Sequence, residues 1–179
     1  FIAPELPFEI RLAEQLNEAD CNIRIGEVLI SALPVEHRIP CSAYRFEISR
    51  SGKFDLEKAA AQRIPKEYWS RLQKGDTIVC EGRELKPETV LGPPRKGLRV
   101  TYCTDARPSD TLIEFAKDSD LLILEGMYGA DELLGKASER KHMIFSEAAT
   151  IAAKSRSQEI WLTHFSPSLR EPGNYLQKA

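Results

Sequence analysis

The stretch Leu98-Arg-Val-Thr-Tyr-Cys-Thr-Asp-Ala-Arg-Pro-Ser-Asp-Thr-Leu-Ile-Glu-Phe-Ala-Lys-Asp-Ser-Asp-Leu-Leu-Ile-Leu-Glu125 decides the fold class. Leu98 to Cys103 reads as a strand, Ser109 to Lys117 as a helix with Ser109 as its N-cap, and Leu121 to Leu124 as a short buried strand. A strand, a helix and a strand in close succession make a right-handed crossover between parallel strands. The pattern then repeats. Ala130 to Glu139 reads as a helix, Ser146 as the cap of another running to about Ser155, with Glu147 in its first turn, and Glu159 to Thr163 as the last strand.

Towards the start of the chain the texture differs. Ile23, Ile25, Val28, Leu29 and Ile30 mark one or two strands broken at Gly26 and ended by Pro34. Cys41 to Ile48 alternates as a half-buried strand, so His37 sits in the connection before it. Residues 52–94 form an insertion: Asp55 to Arg63 and Lys66 to Gln73 read as short helices, the second opened by Pro65 and closed by Gly75. A hairpin follows, Thr77 to Cys80 turning through Glu81-Gly82 into Arg83 to Leu85, and Gly92 to Gly97 is expected to be an extended loop. The closing stretch from Ser166 reads as loop with a helix start near its end.

The chain has 179 residues, a formal net charge of −2, 42% hydrophobic and 29% charged residues, which describes one ordinary α/β unit and excludes disorder, collagen and coiled coil. No apolar run approaches the roughly 20 residues that cross a bilayer, so no membrane partner is expected. The opening Phe1-Ile-Ala-Pro-Glu5 has neither a leader pattern nor an initiating Met, and the chain is expected to begin in mid-sequence. Cys21, Cys41, Cys80 and Cys103 lie far apart without a Cys-x-x-Cys pair and are expected to be buried free thiols of a reducing, cytoplasmic setting.

Charge is uneven along the chain. Between His37 and Gly75 nine Lys/Arg face four acids, and between Asp105 and Gly135 eight acids face Arg107 and Lys117. A basic arm beside an acidic site suits a metal-dependent enzyme acting on a phosphate polymer, and equally describes two solvated faces of opposite sign.

Ligands of open α/β sheets gather at the carboxyl ends of strands. Asp105, Glu125 and His164 stand at three such ends, His37 leaves another strand, and His142 precedes the Ser146 segment. Imidazole and carboxylate converging there can hold a transition metal, and an aspartate can bridge two. The alternatives are a turn cap for His37, a helix-N-terminal anion for Asp105 and a core hydrogen bond for His164. No glycine-rich phosphate loop and no Gly-x-Ser-x-Gly motif is present.

Five segments then resemble the ribonuclease Z family of the metallo-β-lactamase superfamily, in the family's order. They are Pro34-Val-Glu-His37-Arg-Ile-Pro-Cys-Ser-Ala-Tyr44-Arg45-Phe46, Tyr102-Cys-Thr-Asp105-Ala-Arg107, Leu121-Leu-Ile-Leu-Glu125, His142 through Ser146-Glu-Ala-Ala, and Leu162-Thr-His164-Phe-Ser166. The resemblance spans nearly the whole chain and corresponds to the later half of the family's sequence. It implies an α/β fold, the C-terminal half of an αββα metallo-β-lactamase sandwich with a small helical and hairpin insertion. It also implies removal of the 3′ trailer from tRNA precursors, two divalent metal ions, zinc or else manganese, and a homodimer.

By that resemblance His37 and His164 are histidine ligands of the two metals, Asp105 bridges them, His142 protonates the leaving 3′ oxygen and Glu125 orients it. The insertion matches the family's tRNA-gripping arm in position and basic character, and Lys66, Tyr68, Arg71 and Lys74 are its expected RNA contacts, with Trp69 either stacking on a base or packing inward. The arm's usual Gly-Pro turn is replaced by Ile64-Pro65-Lys66-Glu67-Tyr68, and the family's H-x-H-x-D-H motif is not in this chain. Taken alone, the chain is expected to be nearly inactive. Two rivals remain: a hydrolase of the same superfamily acting on another phosphodiester or ester, and a non-catalytic α/β binding module.

Overall fold

A computed structural model describes residues 22–176. The expectations for residues 1–5, for Cys21 and for the closing residues 177–179 lie outside the described residues. Strands β1 (Asn22–Ile25), β2 (Val28–Val35) and β3 (Cys41–Arg50) form an antiparallel meander, β4 (Ile78–Cys80) and β5 (Arg83–Leu85) a separate hairpin, and β6 (Arg95–Cys103), β7 (Leu121–Glu125) and β8 (Ile160–Thr163) complete the main sheet. The helices are α1 (Leu56–Ala61), α2 (Trp69–Lys74), α3 (Asp110–Phe115), α4 (Leu134–Arg140) and α5 (Phe145–Ser155).

The six-stranded sheet has the order β1-β2-β3-β6-β7-β8. β3 and β6 are antiparallel, whereas β6-β7 and β7-β8 are parallel, as the alternation of strands and helices requires. One sheet face lies under α3 and α5: Ala43, Cys103, Leu122 and Leu124 are fully buried against Leu112, Ala148 and Ile151. The helices are built for this contact. Phe145, Ala148, Ile151 and Ser155 recur at helical spacing along the buried side of α5, and a Leu buried this completely contributes about 1.5–3 kcal/mol.

The opposite face is apolar but bare among the described residues. Cross-strand partners place Phe46 beside Val100, Tyr44 beside Tyr102 and Ile123 beside Trp161 on that one side. Trp161 remains 55% exposed and Phe46 38%.

The insertion leaves the sheet between β3 and β6. Its base is closed by a bridge from Phe54 to Leu91, by Asp55 N–H donating to the Val90 carbonyl at 2.7 Å and by Gly92 N–H donating to the Lys53 carbonyl at 2.8 Å. The two chains approach so closely that a Cβ on Gly52 would stand 1.9 Å from the Gly92 carbonyl oxygen, so only glycine fits there. Within the insertion Ala59, Ile64, Leu72, Ile78, Cys80, Leu85 and Val90 make a core distinct from that of the sheet.

Several local expectations are corrected. The N-cap of α5 is Ile144, not Ser146, which lies inside the helix and donates its hydroxyl to Asp131 at 2.6 Å. Residues 95–97 are not loop: β6 starts at Arg95, opposite Arg50 across an irregularity in β3. β2 runs through Pro34 to Val35, which is tolerated because β1 pairs only as far as Ser31 and, among the described residues, nothing pairs with that edge beyond it. Lys66–Tyr68 is a tighter 3-10 turn before α2, and α4 is likewise preceded by one at Asp131–Leu133. Cys41 is half-buried, not buried, while Cys80 and Cys103 are buried free thiols, the latter pushed up to about 12 by burial.

Candidate metal centre

Four loops meet at the carboxyl ends of the parallel strands. Asp105 stands two residues beyond β6, Glu125 ends β7, His164 directly follows β8, and His37 lies in the β2–β3 connection at the same end of the sheet. His142 joins them from the junction between α4 and α5. Asp105, His164 and Lys141 all have positive φ, of 52°, 55° and 62°. Three non-glycine residues in the left-handed region at one place is strain concentrated where side chains must be aimed.

Asp105 is the hub. Its Oδ1 lies 3.0 Å from His164 Nε2, 3.8 Å from His142 Nδ1 and 3.9 Å from His37 Nε2. One ligand atom from each of His37, Asp105 and His142 falls within 4.8 Å of the others, a group able to hold a metal ion. The donor set of imidazole nitrogens and a carboxylate oxygen suits zinc and related transition metals. The centre thus unites the three residues expected as ligands with the one expected as an acid.

Hydrogen bonds to groups around the cluster orient the rings of His37 and His142. His37 Nδ1 lies 3.0 Å from the Lys141 carbonyl, which only accepts, so Nδ1 carries a hydrogen and Nε2 is the nitrogen turned toward Asp105. His142 Nδ1 lies 2.9 Å from Glu125 Oε2. Glu125 is fully buried; its other oxygen accepts from Ala106 N–H at 2.7 Å, and Oε2 receives a longer bond from Met143 N–H at 3.4 Å.

Burial pushes the Glu125 carboxyl up to about 7, against the opposing pull of the Ala106 and Met143 amides. Burial also holds His142 below the ordinary histidine value, aided by His37 and opposed by Asp105. The carboxyl and the imidazole are thus in contact, each shifted by burial toward its neutral form.

Residue type and spacing gave no sign of several groups that shape the centre. The Lys141 carbonyl and the Ala106 amide belong to the main chain, which carries no residue-type signal. Arg107, on the loop after β6, is found paired with Glu147 of α5, and the ring of Tyr128 stands edge-on to His142, centroids 6.5 Å apart.

The expected RNA contacts sit elsewhere, on the insertion. Lys66, Arg71 and Lys74 are exposed there, Arg71 beside Asp76 at 3.6 Å. Tyr68 is half-buried against the arm's core. Trp69 packs inward: its ring lies 5.4 Å from that of Phe54 and its Nε1–H donates to the Ile64 carbonyl at 2.9 Å.

The chain is 50% identical over 178 residues to Ribonuclease Z of Clostridium kluyveri, covering 99% of this chain and 59% of that protein. It is also 50% identical over 175 residues to Ribonuclease Z of Agathobacter rectalis, covering 98% of this chain and 57% of that protein. Over the matched length the chain is similar to Ribonuclease Z. It spans under two-thirds of the length of the curated relatives it matches.

No protein-family model matches the chain. In three dimensions it is similar to the crystal structure of the metallo-beta-lactamase fold protein YhfI from Bacillus subtilis, with a TM-score of 0.55 and 21% identity over 90% of this chain and 45% of that one. The ribonuclease Z-like chain therefore has part of a metallo-β-lactamase fold, and its histidine-carboxylate cluster lies where strand ends and loops of that fold converge. Among the described residues no helix is long and apolar enough to cross a membrane.

Proposed function

We propose that the full-length protein carrying this chain is a metal-dependent endoribonuclease that removes the 3′ trailer from tRNA precursors. The observation that carries the reading is the convergence of His37, Asp105, His142 and His164 on one point, in a chain 50% identical to a Ribonuclease Z. His37 and His164 would each hold one of two divalent ions, zinc first, with Asp105 between them; the remaining ligands come from outside this chain. Bound there, such ions supply Lewis acidity and a water of lowered pKa.

The chain's own residues do the rest. Glu125, fixed by the Ala106 amide, holds His142 by Nδ1 and leaves its Nε2 to deliver a proton to the departing 3′ oxygen. Desolvation makes the imidazolium a stronger acid than in water, which favours that transfer.

The insertion is read as an inserted basic arm over residues 52–94 that contacts the tRNA body through Lys66, Arg71 and Lys74, with Tyr68 at its side, and the remainder of residues 1–179 as one partial domain. The arm leaves the sheet at the start of β6, whereas Asp105 follows its end, and nine strand residues at about 3.3 Å each separate the two by roughly 26 Å. A substrate held by both must span that distance, as a folded tRNA does, or be shared by the arm of one subunit and the site of another. This span favours a large RNA over a small phosphodiester as the natural substrate; a homodimer working in the cytoplasm belongs to the same proposal.

The test is cleavage of a 3′-extended tRNA precursor by the full-length protein with zinc or manganese, beside His164→Ala. Cleavage just past the discriminator nucleotide that disappears in the variant supports the reading. Failure to cleave, with metal-dependent hydrolysis of a chromogenic diester intact, moves the substrate elsewhere.

A further inference from the structure

Arg107 belongs to no part of the chemistry described above, yet it adjoins the loop of Asp105 and bonds the segments that carry His37 and His142. Its backbone N–H donates to the carbonyl of Glu36 at 3.0 Å, the residue before His37. It follows Asp105 by two positions, and the intervening Ala106 donates to Glu125. Its guanidinium donates to the main-chain carbonyl of His142 and, through both terminal nitrogens, to Glu147, at 2.9 Å from Nη1 to Oε2 and 2.5 Å from Nη2 to Oε1. Glu147 in turn accepts from Ile144 N–H at 3.1 Å. The pair is largely enclosed, with side chains 15% and 20% exposed.

These bonds close a ring. Glu125 grips the imidazole of His142 by its edge, and Arg107 grips the same residue by its main chain, so ring and backbone are fixed from two directions at once. A planar guanidinium can serve a carbonyl and a carboxylate together, whereas an ammonium on a flexible stem cannot hold both in one geometry. A bidentate ion pair that merely pinned α5 would not need the third bond to the His142 carbonyl.

We propose that Arg107, backed by Glu147, is a positioning residue for the reaction: it sets the rotation of the His142 imidazole against Asp105 and the ligand histidines. The inference rests on the hydrolytic reading for its kinetic consequence, but its structural content does not. Displacing an acid by about 1 Å costs on the order of 10²-fold in rate while leaving substrate binding alone.

The experiment compares Arg107→Lys, Arg107→Ala and the charge exchange Arg107→Glu with Glu147→Arg in the full-length protein. The exchange restores the ion pair and so recovers the thermal midpoint lost in Arg107→Ala, but a glutamate at 107 has nothing to donate to the His142 carbonyl. The expected result is kcat on the tRNA precursor lowered by about 10²-fold in all three, with KM and bound metal unchanged. In parallel, NMR of the full-length protein should show the His142 ring losing its Overhauser contacts to the His37 and Tyr128 rings in Arg107→Lys, with faster amide exchange at Ile144.

If kcat and thermal midpoint fall and recover together through the exchange, Arg107 is only a structural brace and the proposal is overturned. It is overturned equally if Arg107→Lys leaves the His142 ring contacts in place. A wild-type protein that cleaves no tRNA precursor counts against the substrate reading alone, and the ring contacts then decide the role of Arg107.

Discussion

The two ends of β6 are built on opposite terms. At its carboxyl end, loops from four parts of the chain are cross-linked through Asp105, Glu125 and Arg107, the polar groups other than His164 are buried or half-buried, and three residues are held at positive φ. At its amino end an insertion with its own small core hangs from a narrow glycine-lined base, its lysines and arginines in water. A reacting centre needs groups placed within fractions of an ångström. A grip on a polyanion needs only charge and reach, because most of its binding free energy comes from released counterions.

That contrast can be broken by mutation at either end. The largest effect is expected from His142→Ala, which should lower kcat by about 10²–10⁴-fold, the range for loss of a general acid, with substrate KM nearly constant in a steady-state assay. Glu125→Gln, which keeps the shape but not the charge that orients His142, should cost about 10–100-fold. If either change instead raised KM alone, the strand-end groups would be binding groups.

The arm should respond in the reverse manner. Neutralising Lys66, Arg71 and Lys74 together should weaken tRNA binding and reduce the slope of log affinity against log salt by about 2–3, leaving hydrolysis of a small chromogenic diester unchanged. Equal loss on both substrates would make the arm part of the centre. Leu72→Ala, in the middle of the arm's core, should cost about 2–5 kcal/mol locally. Hydrogen exchange should then show the arm opening while β6 to β8 stay protected, and simultaneous opening would deny the arm its independence.

The smallest effect is one of pH. Glu125 is held at about 7 in the folded chain against an ordinary 4.5, so between those values the folded state binds more protons than the unfolded one. Its contribution is fully present below pH 4.5 and is lost as pH rises through 7. Thermal melts in chelator-containing buffer should therefore show the wild type losing stability across that window more steeply than Glu125→Gln. Parallel curves would mean that Glu125 titrates normally.

Much of this was legible in the sequence, for identifiable reasons. The Ser109 N-cap, the Gly75 terminus of α2 and the Glu81-Gly82 turn are local devices, and each is found as read: Ser109 Oγ accepts from Leu112 N–H, Gly75 has φ 98°, and Glu81 and Gly82 both have positive φ. The parallel order of β6, β7 and β8 follows from the alternation of periods. Ser146 misled because residue type favours it as a cap, whereas the chain enters α5 two residues earlier under the pull of buried Phe145 and of Glu147 reaching back to Ile144 N–H.

The site residues were legible as polar side chains at strand ends. Their bonding was not. That His37 leans on the carbonyl of Lys141, a hundred residues away, depends on how α4 delivers its left-handed last residue, and no local pattern encodes that. Arg107 stood in view inside a quoted motif, but its partners become visible only when α5 is docked on the sheet.

The central claim is that the side chains gathered at the carboxyl ends of the sheet hold metal through Asp105. Native mass spectrometry of the full-length protein, reconstituted with zinc, compared with Asp105→Ala, tests it most directly. A wild type carrying two ions and a variant that keeps at most one, with its fold intact by circular dichroism, is the result predicted. A variant that retains both ions would contradict it.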